Sequence, residues 1–94
     1  MKTTAELRIR VEKPSAGQLQ ALGVKSWPIW EKEKSAFPWH YDEAETCYLL
    51  AGKVRVQTDL ETVEFGAGDL VTFPAGLTCR WEIAEPVRKH YKFG

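Results

Sequence analysis

From Trp27 onward, apolar and polar residues alternate over short runs that break at Gly, Pro and Asp. Side chains of a β-strand point to opposite faces in turn, so this period-2 pattern, rich in β-branched and aromatic residues, predicts strands. They are expected at 8–13, 27–34, 37–41, 45–51, 53–58, 61–65, 70–73, 79–83 and 87–91. Two runs give their facing plainly. Val54 and Val56 oppose Lys53, Arg55 and Gln57, and Cys79, Trp81 and Ile83 oppose Arg80 and Glu82. In ETCYLLAG, parity sets Glu45, Cys47 and Leu49 on one face and Thr46, Tyr48 and Leu50 on the other, both partly apolar, so parity alone does not choose between them. If Glu45 shares the interior it needs a partner, because a bare buried carboxylate costs several kcal/mol.

Before these strands, SAGQLQAL follows Pro14 and ends at Gly23, which supplies a capping serine, good helix formers and a glycine stop for one short helix. Nine short strands leave no room for parallel crossovers, so the fold class is all-β, an antiparallel sandwich or barrel with one short N-terminal helix. Gly52 reads as a tight turn between two strands, Gly66 and Gly68 as a second corner, and PAG at 74–76 as a third.

A chain of 94 residues supports one core, so residues 1–94 form one domain, with 1–26 carrying the first strand and helix and 27–94 the barrel. The composition, 44% apolar and 12% aromatic, is that of a globular protein. Thirteen basic residues balance thirteen acidic ones without a basic face, which argues against nucleic acid or membrane and for a small-molecule partner. MKTTAELRIR lacks the apolar core of a secretory signal, so a cytoplasmic location is expected. In that compartment Cys47 and Cys79 are read as free thiols.

Two stretches carry a family resemblance. GAGDLVTFPAG at 66–76 contains a glycine, five residues and then Pro-x-Gly, and Glu45 is separated from Gly52 by six residues. Together they resemble the two motifs of the cupins, over 39–83. The stretches WPIWEKE and PVRKHY resemble the small single-domain cupins of the ureidoglycine aminohydrolase type. The resemblance implies a jelly-roll barrel of the RmlC-like superfamily, with Glu45 pointing inward near one mouth and Gly52 turning the chain onward. It also implies one divalent metal (zinc, iron, manganese or nickel) held by His40, Glu45 and Cys79, an imidazole, a carboxylate and a thiolate. The sequence departs from the family pattern. Only one of the two first-motif histidines is present, as His40, while Cys79 stands at the second-motif histidine and Ile83 at its asparagine.

The pocket is accordingly expected among Trp39, His40, Tyr41, Glu45, Cys47, Phe73, Cys79 and Trp81, with Glu45 and Tyr41 as catalytic candidates. His90, with Arg88 and Lys89, is read as a structural or exposed basic patch. Three functions remain open. The first is binding of a small polar molecule around Glu45 without obligatory metal. The second is a metal-dependent hydrolase or isomerase acting on a small amide, ureide or sugar-like substrate. The third is a homodimeric interaction module joined through WPIW.

Overall fold

The computed structural model describes residues 7–94, so residues 1–6, where the leader was sought, lie outside the described residues. The elements run β1 (Arg10–Glu12), α1 (Ala16–Leu22), a 3-10 turn (Val24–Ser26), β2 (Ile29–Lys32), β3 (Ser35–His40), β4 (Glu45–Gln57), β5 (Thr62–Gly66), β6 (Leu70–Phe73) and β7 (Thr78–Phe93). The helix forms where expected. Ser15 caps its start, accepting from the Gln18 N–H while the Gln18 side chain answers the Ser15 N–H, and Gly23 closes it in the left-handed conformation.

All strand pairs are antiparallel, and the sheet order is β1-β6-β4-β7-β2, with β3 also on β7 and β5 also on β4. The two long strands lie side by side over their full length and are the spine of the barrel. Each carries two outer partners. β4 pairs with β6 through its first half and β5 through its second, while β7 pairs with β3 and then β2. One continuous sheet thereby wraps into two facing layers whose inner surfaces meet.

Among the described residues the nine expected strands become seven, because the expected breaks at Gly52 and at 84–86 are not turns. Between Leu49 and Val54 the β4–β7 register shifts, a bulge that bends both strands without ending them. Pro86 sits at this irregularity, where a residue lacking an N–H is tolerated. Gly52 has φ of 113°, and a Cβ there would lie 2.7 Å from the Pro86 carbonyl oxygen and 2.9 Å from Val87 Cα. Glycine is therefore required by a close backbone approach as well as by φ.

The facing read from parity holds for Val54, Val56, Cys79, Trp81 and Ile83, all buried, and the strand that parity left open buries its Glu45, Cys47 and Leu49 face. Inside, Phe73 stacks on Tyr41 at 4.7 Å between centroids and packs against Phe65 and Trp81. The corner at 66–69 is locked by Asp69, whose carboxylate accepts from the Gly66 N–H at 2.9 Å and from Lys13 Nζ at 2.8 Å.

Gly52→Ala is expected to lower stability by at least about 2 kcal/mol, combining positive-φ strain with a backbone clash. In a domain of this size that is a Tm loss of roughly 8 °C or more. Gly17→Ala, inside α1 and meeting only Ser15 Oγ at 3.8 Å, should instead raise stability by roughly 0.5–1 kcal/mol. Thermal melts of both variants check this; an unchanged Tm for Gly52→Ala would refute the close approach.

Candidate functional site

Glu45 opens β4 and stands directly across from Phe73 on β6 and Phe93 on β7. Lys89 lies four residues back along β7, opposite Leu49. Directly opposed residues share a face, so both project into the barrel. There Lys89 Nζ donates to Glu45 Oε2 at 2.8 Å, and each residue is only 4% exposed. The ammonium also lies 5.0 Å from the ring centre of Trp30 and 4.8 Å from that of Trp81. Carboxylate and two indole faces together replace the water that Lys89 gives up on burial.

Tyr41 follows β3 and is tied down through its backbone, donating to the Leu77 carbonyl at 2.9 Å and accepting from the Gly76 N–H at 2.7 Å. Its hydroxyl oxygen accepts from Trp81 Nε1 at 3.2 Å. Burial, reinforced by the Glu45 charge, raises its pKa well above that of a free phenol. Tyr41 is therefore a protonated hydrogen-bond donor at neutral pH. Among the described residues neither its proton nor Glu45 Oε1 has a partner.

These groups form the floor of an open cleft of about 630 Å³, walled by Trp30, Phe37, Trp39, Trp81, Tyr91 and Phe93. At its mouth Trp39 is 49% and Phe93 45% exposed. Of the residues expected from sequence, Trp39, Tyr41, Glu45 and Trp81 line the cleft. Cys47, Phe73 and Cys79 do not; they are buried in the core. The Cys47 thiol is pushed up to about 12 by burial, with Lys89 opposing and Glu45 adding, and the Cys79 thiol to about 11 by burial and then Glu45.

His40 is likewise absent from the cleft. It has outward parity between Trp39 and Tyr41, is exposed, and sets Nδ1 2.7 Å from Thr78 Oγ1 and Nε2 3.7 Å from Asp42. The expected metal set of His40, Glu45 and Cys79 is thus not assembled, and among the described residues no three His, Cys, Asp or Glu side chains are grouped to hold a metal ion. The donor chemistry does not fit the metal that the resemblance implies, since Glu45 is engaged by an ammonium and Cys79 is held as a thiol. The basic-patch reading is also corrected. Lys89 is interior, Arg88 pairs with Glu31 at 3.0 Å, and His90 is structural, its Nδ1 2.9 Å from the Trp27 carbonyl oxygen. Trp30, expected in a subunit-joining stretch, lines the cleft, while its neighbour Ile29 is exposed.

A family model described as the EutQ-like cupin domain matches residues 19–91. No curated protein matches the chain. Among solved structures, a DUF861 family protein from Thermotoga maritima is 53% identical with a TM-score of 0.91, over 93% of this chain and all of that one. A putative ethanolamine utilization protein Q from Salmonella typhimurium is 26% identical with a TM-score of 0.63, over 69% of this chain and 53% of its own. A predicted oxalate decarboxylase from Thermotoga maritima, 16% identical with a TM-score of 0.53 over 90% of this chain and 78% of its own, shares the fold alone. The barrel is the jelly roll of these proteins. No helix among the described residues is long and apolar enough to cross a membrane.

Lys89→Met strands a buried carboxylate and should cost about 3–5 kcal/mol, whereas Glu45→Met combined with Lys89→Met removes both charges and should recover most of it. Urea unfolding of the three proteins measures this, and a Lys89→Met loss under about 1 kcal/mol would contradict a desolvated pair. The thiols give a pH signature. Their folded pKa values lie above the ordinary 9.0, so their contribution is complete below pH 9 and is lost as pH rises from 9 through about 11 and 12. Stability measured across pH 8–12 should fall over that window, less steeply in Cys47→Ala and Cys79→Ala.

Proposed function

The chain belongs to the EutQ-like cupin family, and on that premise we propose that it binds a small, uncharged polar molecule in the aromatic cleft over Glu45 and Lys89, without an obligatory metal. One observation carries this reading: the floor of a cleft lined largely by aromatic rings holds hydrogen-bonding groups that the protein leaves unused. Glu45 Oε1 is an unpartnered acceptor among the described residues, and Tyr41, which lines the same cleft, holds an unpartnered proton. Pockets of this kind, apolar walls with a few convergent polar groups, are how small-molecule sites are built.

The charge of the site selects the ligand. Glu45 and Lys89 cancel, and a charged ligand would lose its hydration to a floor with no net charge to offer in return. A neutral molecule with one donor and one acceptor meets both Glu45 Oε1 and the Tyr41 hydroxyl. The aminohydrolase-like alternative needs a metal on His40, Glu45 and Cys79, which face three different surroundings: solvent, the Lys89 ammonium and the core.

Protein stripped with chelator should keep its Tm and still bind neutral amides, followed through the indole resonances of Trp30, Trp39 and Trp81, with Trp27 outside the cleft as an internal control. Tyr41→Phe should weaken binding by about tenfold, the loss of one hydrogen bond. Near-stoichiometric metal that survives dialysis of the parent and disappears in Glu45→Ala would overturn the proposal.

A further inference from the structure

Resting on that binding reading, we propose that Lys89 captures an aldehyde covalently and reversibly, as an iminium held against Glu45. Lys89 is the one buried lysine among the described residues. Its Nζ lies 2.8 Å from Glu45 Oε2, 5.0 Å from the ring centre of Trp30 and 4.8 Å from that of Trp81, and all four residues line the cleft. A primary amine in such desolvated surroundings is the nucleophile that forms Schiff bases with carbonyl compounds. The other lysine of the cleft, Lys32, is exposed, with its Nζ 5.8 Å from the ring centre of Phe37.

An ammonium is not nucleophilic, and Glu45 is placed to change that. Proton transfer along the 2.8 Å hydrogen bond gives a free amine and a neutral carboxyl, and removes two charges from an interior that solvates them poorly. The amine nitrogen then attacks the aldehyde carbon, forming the C–N bond while the carbonyl π pair moves to oxygen. That oxygen takes one proton from the nitrogen and a second from the Glu45 carboxyl, the C–O bond breaks, and water leaves as the nitrogen lone pair closes the C=N bond. Ammonium and aldehyde thus become iminium and water, with Glu45 again a carboxylate. Charge selects this class of electrophile. Acylation would leave Nζ neutral and carbamylation would make it carry an anion, and either strands the buried Glu45 carboxylate without a counter-ion. The iminium keeps one positive charge on the same nitrogen, so the carboxylate and both indole rings hold it as they hold the ammonium. Phe37 and Trp39, in the walls of the same cleft, offer apolar surface to the aldehyde's substituent.

The test incubates chelator-treated full-length protein with benzaldehyde or butanal and sodium cyanoborohydride, which reduces an iminium to a secondary amine, and maps the adducts by peptide mass spectrometry. Lys89 should be labelled at least about tenfold faster than Lys32, because Glu45 serves it as both base and acid. Glu45→Gln keeps the shape of the side chain but neither accepts nor returns a proton, and should bring Lys89 down to the rate of Lys32 or below. Equal labelling of the two lysines in the parent protein would overturn the proposal, as would an unchanged Lys89 rate in folded Glu45→Gln. Neutral amides that bind in the cleft of a protein whose Lys89 stays unlabelled would overturn covalent capture and leave the binding function standing. If amides do not bind and Lys89 is not labelled, both readings fall.

Discussion

A carboxylate and an ammonium held 2.8 Å apart inside a small barrel set the terms for everything around them. They meet only because β4 and β7 stay paired along their whole length, which sets Leu49 opposite Lys89 and Phe93 opposite Glu45 and lets the lysine stem run inside the barrel between those levels. That pairing in turn depends on the bulge at Gly52, where the sheet bends into two layers without breaking. Tyr41, Trp30 and Trp81 then close around the pair. Remove the pair and the cleft keeps its walls but loses its polar floor.

The ammonium changes what the barrel can do. A metal at this level would accept electron pairs from a substrate and polarise it. Lys89 neutralises the Glu45 charge equally well but offers only N–H donors, already shared with a carboxylate and two indole faces. The pair thus puts hydrogen-bonding groups, not a Lewis acid, at the level that the proposed binding uses. The buried thiols fit this chemistry, since both are held protonated by the same low-polarity surroundings that the aromatic rings create.

Much of this was legible in the chain. Period-2 alternation placed Val54, Val56, Cys79, Trp81 and Ile83 correctly, because each strand buries one face and a one-residue slip would expose it, whereas both faces of the Glu45 strand carry apolar residues and alternation could not choose Cys47 and Leu49 over Tyr48 and Leu50. The helix was legible from Ser15 and Gly23 for equally local reasons. The two missed continuations, through Gly52 and through Pro86, share one cause. Turn-forming residues also form bulges, and only the pairing of β4 with β7, a contact between distant segments, decides which. Glu45 announced its need for a partner, yet the sequence contained thirteen basic residues to choose from. The signal that singles out Lys89 is its parity with Val87, both odd positions on the inward face of β7; reading RKHY as one charged cluster concealed it. His40 was misplaced by the same rule, since proximity to Glu45 in sequence says nothing of facing, and even parity turned it away from Trp39 and Tyr41.

Stability alone does not account for the pair. Burying two charges costs several kcal/mol of desolvation per ion, and well-packed apolar side chains of similar volume are often neutral or better replacements. A domain of 94 residues has little stability to offset such a cost. Nor is the pair hydrogen-bonded to the limit of its capacity, as an interior network built only for rigidity would be: Glu45 Oε1 and the Tyr41 proton have no partner among the described residues. Both groups belong to residues that line the aromatic cleft. Spare hydrogen-bonding capacity beneath an aromatic cleft supports the binding proposed above, whereas an ion pair kept only for rigidity would have no use for it.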